Sequence, residues 1–433
     1  MSQTASAPAP QPAPSAQPAV PATAQPSHRA GVAPAASPFS ENVPRLLNRL
    51  QAVAVTTCVV FGILAAVIQV LSWQAAGRAA DNTEQVVRVQ QIQSLLLRAD
   101  AVATSSYLSD GLEPAAARAE YDAAIDDTLR LITDAADAQP ADRAVLADLN
   151  AAVSAYTTTV SQARDYNRQQ LPIGIAYLNN AGTSLRAEAL PIVTALVDTN
   201  SERAEDEMHG QHPFWLLGIG VLALLTLFWV NSQVARRFRR RLNVGVVTAE
   251  VIIAVLTLVA VGHAVLKNND DDATRDGAYR TAIDEASART AANNAKAFES
   301  LGLVNRGSGS TVWEPQFQKQ SEIVVDKASA DTAALWSDYL DLHAQLRDKD
   351  DQGLWDAAVA DATATGDGTV TAALDAVDAS ASAVVDESGD EASDGFREGG
   401  AISVALAIIT LLGGLIAAGA ATRGIDQRRK EYS

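Results

Sequence analysis

AVAVTTCVVFGILAAVIQVLSW, residues 52–73, runs for twenty-two positions without a charge. A helix needs about 20 mainly apolar residues to cross the ~30 Å of hydrocarbon in a bilayer. The stretch therefore reads as a membrane span. Three more runs of this kind follow, at 214–235, 244–266 and 401–421, the last reading AISVALAIITLLGGLIAAGAA. Trp73, Trp215 and Trp229 lie near span ends, where an amphipathic indole is favoured.

The residues between the spans set the orientation. RRFRRR, residues 236–241, places five arginines in the only short connection, 236–243, between spans two and three. Arg45 and Arg49 precede span one, and Arg423, Arg428, Arg429 and Lys430 follow span four. Lys and Arg close to spans mark the cytoplasmic side. This puts the tail 1–44, the loop 236–243 and the end 422–433 inside, and the long segments 74–213 and 267–400 outside, at a cell membrane. Arg236, Arg237, Arg239, Arg240 and Arg241 then read first as a topology signal that also meets anionic lipid. Docking of a cytoplasmic partner is the second reading.

Charge is segregated in the same way. Segment 74–213 carries a net of −10 and segment 267–400 a net of −16, while the remainder is +8, within a total of −18. The arginine run does not extend into a basic face, so nucleic acid is excluded as a partner. The single cysteine, Cys58, lies within span one, so no intrachain disulfide exists. Span one starts about fifty residues in and reads as an uncleaved anchor. Residues 1–44 hold ten of the sixteen prolines, among Ala, Gln and Ser. Such a tail buries too little to fold, and serves as a spacer or as a tether for an intracellular partner.

Both long segments are helical by their apolar spacing. Val89, Ile92, Leu96, Ala99 and Ala103 step by three and four, as do Leu146, Leu149, Val153, Tyr156 and Val160. Leu171, Ile175, Leu178, Gly182, Leu185, Ala189, Ile192 and Leu196 form a third series. This is the seam of nearly parallel packed helices. Gly111 with Pro114, Pro140 and Pro172 punctuate four helices over 74–109, 114–137, 141–168 and 173–210. In the second segment Leu335, Tyr339, Leu342 and Leu346 mark a third helix, and Val370, Leu374, Val377, Ala381 and Val384 a last one. Gly307-Ser308-Gly309-Ser310 reads as a turn between helices.

The two segments echo each other. Ser154, Tyr156, Arg164, Asp165 and Leu171 recur 183 residues on as Ser337, Tyr339, Arg347, Asp348 and Leu354. Leu112-Glu113-Pro114 is matched by Trp313-Glu314-Pro315. The expected fold is an all-α membrane protein: four transmembrane helices with two external four-helix bundles as a tandem repeat. The repeats run in parallel about an axis along the membrane normal, like a sensor dimer fused into one chain.

No catalytic constellation, phosphate-binding loop, kinase signature or nucleophile elbow occurs, and no cofactor is implied. His209 and His212 have a metal-compatible spacing but read as polar residues at the membrane edge. His343 reads as part of a polar face. Glu250, six residues into span three, is the costly intramembrane charge. It either pairs with an arginine of the short loop or serves as an intramembrane coupling group, as a switch or for a coupling ion. Gln69 is placed to bond to a neighbouring span, and Gly413, Gly414, Ala417 and Gly419 to let spans approach. Arg164, Asp165, Arg347 and Asp348 are the candidates for a local basic pocket on the acidic bundles, or for pairs that fix a turn.

With both termini inside, four spans, paired bundles and a basic short loop, the chain resembles bacterial chemoreceptor-type sensors in its external half. It lacks their cytoplasmic coiled coil. In its whole layout it resembles the GlnX-like family of actinobacterial four-span sensor/relay proteins. The Arg164-Asp165-Tyr166-Asn167 stretch ahead of Leu171-Pro172 belongs to that likeness. The resemblance implies partnership with a periplasmic solute-binding lipoprotein that binds aspartate or glutamate, and with a cytosolic serine/threonine kinase. It assigns no site residue by itself. The rival class is a membrane-anchored scaffold for envelope or secretion complexes; transport is disfavoured by the nearly uniform apolarity of the spans.

Overall fold

A computed structural model describes residues 43–109, 113–238, 243–306 and 309–430. Residues Met1–Leu46 form one contact unit, of which only the opening turn of a helix is described, and Leu47–Ser433 form the other. The described residues contain helices and no strand.

Nothing in span one breaks a helix, so α1 (Val43–Tyr107) continues for 65 residues through the span and into the first bundle. At 1.5 Å per residue it is about 100 Å long. α2 (Ala115–Ala138) follows Pro114, and α3 (Arg143–Arg168) follows a 3₁₀ turn at Pro140–Asp142. The fourth helix is α4 (Ile173–Ser184) joined to α5 (Leu190–Met208) through a π turn at Leu185–Ala189. Pro191 explains that turn. Its nitrogen cannot donate and its ring crowds the preceding turn, so the ladder widens by one residue.

Span two is α6 (Pro213–Phe238). α7 (Val244–Thr274) is span three, capped by Asn243, whose side chain accepts from Gly245 N and Val246 N. It runs through a second π turn, Arg275–Tyr279, into α8 (Arg280–Val304). α9 (Glu314–Lys327), α10 (Ala330–Asp351), short α11 (Trp355–Thr363) and α12 (Val370–Arg397) complete the second bundle, and α13 (Gly400–Lys430) is span four. Four helical stretches, Arg45–Tyr107, Ile173–Arg236, Val244–Val304 and Val370–Gln427, are long and apolar enough to cross a membrane. The chain is an all-α membrane protein.

The first core lies between α1, α2, α3 and α4–α5, and includes Ile92, Leu96, Ile132, Leu149, Tyr156 and Leu185. The second lies between α8, α9, α10, α11 and α12, around Phe317, Trp336, Tyr339 and Leu346. Leu108, Ala163 and Leu178 of the first bundle join this second core, so the bundles share apolar surface at the end far from the spans. Close to the spans, Ala79, Ala80, Ala204, Met208, Tyr279, Ala392 and Phe396 bring together one helix from each end of both bundles.

Five seam residues sit differently from expectation. Beyond the π turn the buried position is Val193, with Ile192 only half-buried, because one extra residue has entered the turn. In α12 Val385, not Val384, is buried, and in α10 Trp336 and His343 take the inward positions expected of Leu335 and Leu342. His343 is 3% exposed, so it does not belong to a polar surface face. Leu171, expected on the seam, is 43% exposed at the turn before α4. Gly307 and Ser308 of the expected glycine-rich turn lie outside the described residues; Gly309 opens a π turn, Gly309–Trp313.

The spans meet through small residues. A methyl group added at Gly414 would lie 2.9 Å from Gly62 Cα, and one at Gly220 would lie 2.3 Å from Thr257. Gln69 donates to Thr410 Oγ1 at 3.2 Å, tying α1 to α13. Asn243 donates to Gly424 O at 3.0 Å, tying the start of α7 to α13. The outward faces remain apolar, as hydrocarbon requires: Phe214, Leu222, Leu258 and Ile416 are exposed.

Candidate functional site

Each bundle buries a carboxylate against a tyrosine. In the first, Tyr156 on α3 donates its hydroxyl to Asp100 Oδ1 on α1 at 3.2 Å. In the second, Tyr339 on α10 donates to Glu299 Oε2 on α8 at 3.0 Å. Both tyrosines are fully buried, and burial pushes both phenols well above the ordinary range. A buried carboxylate is costly unless it is paired and hydrogen-bonded, and the two bundles solve this with different cations.

In the first bundle the cation is Arg186, which the π turn carries on the fourth helix. Nη1 donates to Asp100 Oδ2 at 2.8 Å and to Gly182 O at 3.1 Å. Nη2 crosses to the second bundle and donates to Asn294 Oδ1 at 2.8 Å, and the guanidinium sits 4.8 Å from the Phe298 ring centre. One side chain thus spans a buried charge in one bundle and the surface of the other. Asn179 and Asn305 add reciprocal amide bonds of 2.8 and 3.1 Å between the bundles, and Arg98 on α1 reaches Asp375 on α12.

In the second bundle Glu299 is held by Lys296, whose Nζ lies 2.6 Å from Oε1, and by His343, whose Nδ1 lies 2.7 Å from Oε2. The other ring nitrogen of His343 faces Glu314 Oε2 at 3.3 Å. Two acceptor-only groups on the two ring nitrogens select the doubly protonated imidazolium. Burial opposes the charge on His343, but hydrogen bonds to Glu299 and Glu314 outweigh it and raise its affinity for the proton. Burial would likewise raise the Glu299 carboxyl, but Lys296 and His343 outweigh it and hold it at about 2.

The repeat-related arginines sit at the far ends of the bundles. Arg164 Nη2 donates to Glu113 Oε1 at 2.8 Å, and its guanidinium lies 4.0 Å from the Tyr121 ring centre. Arg347 Nε lies 3.5 Å from Glu314 Oε2 and also pairs with Asp350 and Asp351. The partners are therefore the glutamates of the two matched Glu-Pro motifs. Asp165 and Asp348 are exposed and turn elsewhere, Asp165 to Arg168 and Asp348 to Gln352. The sequence displays both halves of each pair, Glu113 with Glu314 and Arg164 with Arg347. What it leaves unread is that they meet.

A third arrangement lies where the bundles join the spans. The first helix of each bundle is continuous with its span, whereas the last is interrupted before its span, at 209–212 and at Glu398–Gly399. Gly399 has φ +76°, a left-handed backbone that glycine adopts without strain. Lys267 on α7 donates to Gly395 O at 3.0 Å and Phe396 O at 3.1 Å, just before that break, and pairs with Asp271 at 2.8 Å. Asp271 accepts from Gln211, inside the other break. Ser72 on α1 donates to Gly210 O there at 3.0 Å. Both interruptions are thus fastened to the continuous helices.

Of the remaining sequence candidates, Arg236 is exposed at the end of α6. The Arg237 side chain and Arg239, Arg240 and Arg241 lie outside the described residues. Glu250 Oε1 is buried without a hydrogen-bond partner among the described residues, and most of the loop arginines expected to pair with Glu250 lie outside them. His209 uses its ring nitrogens on Glu205 O and Arg275, and no group of three or more His, Cys, Asp or Glu able to hold a metal occurs among the described residues.

Residues 75–209 match the family model described as Actinobacterial sensor domain. The matched segment is the first bundle, from the first turns of α1 beyond span one to the break after α5. No curated protein and no solved structure matches the chain. Together with four membrane-spanning helices, the match fits an actinobacterial sensor membrane protein with a sensing or signalling role.

Proposed function

We propose that the chain is a non-enzymatic relay that carries amino-acid availability across the membrane. In this reading a periplasmic solute-binding lipoprotein takes up aspartate or glutamate and docks on the two bundles, which lie outside. The spans pass the state to a cytosolic serine/threonine kinase by way of the basic loop 236–243 and the two termini.

One observation carries the reading: α1 leaves span one and enters the core of the matched sensor segment without interruption. A packed bundle has discrete arrangements rather than a continuous range, so a partner that prefers one of them moves an uninterrupted helix as a body. The second bundle enters the membrane in the same manner through α7–α8, which agrees with two related units placed side by side. The net charges of −10 and −16 disfavour acidic ligands over most of the bundle surface, which agrees with sensing through a partner.

The test is affinity purification of the tagged protein from native membranes, with and without added glutamate or aspartate. Recovery of a solute-binding lipoprotein and a soluble kinase, in amounts that follow the amino acid, supports the relay. Recovery of envelope-assembly or secretion proteins, indifferent to amino acids, replaces it with the scaffold reading.

A further inference from the structure

A cavity of about 470 Å³ opens between the ends of α1, α2 and α3 that lie far from the spans. Ser106, Tyr107, Glu113, Arg118, Arg164 and Arg168 line it. Segment 74–213 holds only ten Lys and Arg against twenty Asp and Glu. Three of those ten cations line this one cavity against two carboxylates, Glu113 and Asp165, a local excess of positive charge on an otherwise acidic segment.

Arg164 is the innermost of the three, with its side chain 11% exposed. Glu113 takes one of its nitrogens, Nη2, and the Tyr121 ring covers one face. Nε and Nη1 are buried and have no acceptor. Leaving a buried charged donor unsatisfied is expensive, and a planar carboxylate is the acceptor that matches a guanidinium in shape and charge. Glu113 cannot serve alone, because it is shared with Ser106 and faces Arg118 as well.

The second bundle provides the control. Arg347, the counterpart of Arg164, donates to Asp350 and Asp351 and has Glu314 3.5 Å from its Nε. Where the protein supplies three carboxylates the arginine is saturated; where it supplies one, donors are left over beside a cavity. Arg118 and Arg168 are 49% and 61% exposed, and their partners, Asp122 and Asp165, lie on their own helices. Both are free to swing towards an incoming anion at small cost, because exposed pairs are weak.

We propose that this cavity binds a small organic carboxylate, held by Arg164 from within and by Arg118 and Arg168 at the mouth. The first bundle would then receive a ligand directly, in addition to any signal delivered by a docked partner. The site needs no partner protein, so its failure would leave the relay reading untouched.

The experiment is calorimetric titration of the purified full chain in nanodiscs with acetate, succinate, citrate and L-glutamate, and with uncharged succinamide. At least one carboxylate should bind with one site per chain, and succinamide should not. Arg118→Gln and Arg164→Gln should each weaken that binding at least tenfold, while Arg130→Gln, an exposed arginine of the same bundle away from the cavity, should leave it unchanged. Should Arg164→Gln fail to fold, Arg118→Gln and Arg168→Gln decide the matter. No binding of any carboxylate at millimolar concentration, or binding that survives loss of Arg118 and Arg168, overturns the proposal.

Discussion

His343 Nδ1 lies 2.7 Å from Glu299 Oε2 inside the second bundle, with both side chains buried. The pair makes the stability of that bundle depend on pH in a definite direction. His343 has a raised affinity for its proton in the fold, so its contribution is complete below about pH 6.5, the ordinary histidine value. It is lost as pH rises through the raised value. Glu299 behaves in the opposite sense: held at about 2, it contributes above about 4.3 and loses that contribution as pH falls towards 2. Thermal unfolding of the full chain in detergent, followed by circular dichroism, should show a melting temperature that declines from pH 6.5 upward. His343→Gln should flatten that decline and cost roughly 3 kcal/mol at pH 6, as expected when one partner of a buried ion pair is removed. An alkaline limb identical in wild type and variant would show that another group governs it.

The apolar skeleton was readable because it obeys fixed spacings. Leu146, Leu149, Val153, Tyr156 and Val160 are all buried as their periodicity requires. The same logic misplaced His343. A histidine among acidic residues on a helix looks like surface, and only the approach of Glu299 and Glu314 from two other helices makes it interior. Lys296 and Glu299, three apart on α8, form the most ordinary of surface patterns, yet both are buried. The shift from Ile192 to Val193 had a visible cause in Pro191, but a helix meets an internal proline by kinking, breaking or widening, and the sequence does not choose among these. Arg186 was invisible as a link because its reach to Asp100 and Asn294 depends on that widened turn and on the neighbouring bundle.

Span packing gives a sharp contrast within one helix. A methyl group at Gly414 would lie 2.8 Å from Cys58 O and 2.9 Å from Gly62 Cα, whereas one at Gly419 meets nothing within 4 Å. Gly414→Ala should therefore push α1 and α13 apart and cost about 1–3 kcal/mol, the usual range for overpacking. Gly419→Ala should be near neutral. Thermal aggregation of the two variants in the same detergent measures the difference. Equal midpoints would mean that α1 and α13 can part by the width of a methyl group without loss.

The arginine run gives a prediction about orientation. Reporter fusions in the tail 1–44 and in the loop 236–243 should report the cytoplasm, and fusions at exposed positions of either bundle should report the outside. Replacing Arg236, Arg237, Arg239, Arg240 and Arg241 by Gln should raise the fraction of mis-inserted chains. If insertion stays correct while recovery of a kinase partner falls, the run acts as a docking element instead.

Lys267 offers the most direct way to loosen the joints between bundles and spans. It is 6% exposed, bonded to the carbonyls of Gly395 and Phe396, and paired with Asp271, which in turn takes the amide of Gln211. Asp271 is buried beside it, so the lysine is the group that makes the buried carboxylate tolerable. Lys267→Met removes the donor to two carbonyls at the end of α12 and strands Asp271, at a cost of roughly 3–5 kcal/mol. The damage should be local, because the cores around Leu149 and Trp336 are remote from the joint. Amide exchange should quicken at 209–212 and 395–403 while the bundle cores keep their protection. Lys267→Met with Asp271→Leu should recover the part of the loss that comes from the stranded carboxylate, since an apolar pair replaces a buried ion pair at little cost, and leave the part that comes from the two undonated carbonyls. Recovery by the double variant, with normal assembly but an output that no longer follows ligand, would locate the transmission step at these two breaks. Uniformly faster exchange through both cores would instead make Lys267 a general support of the fold.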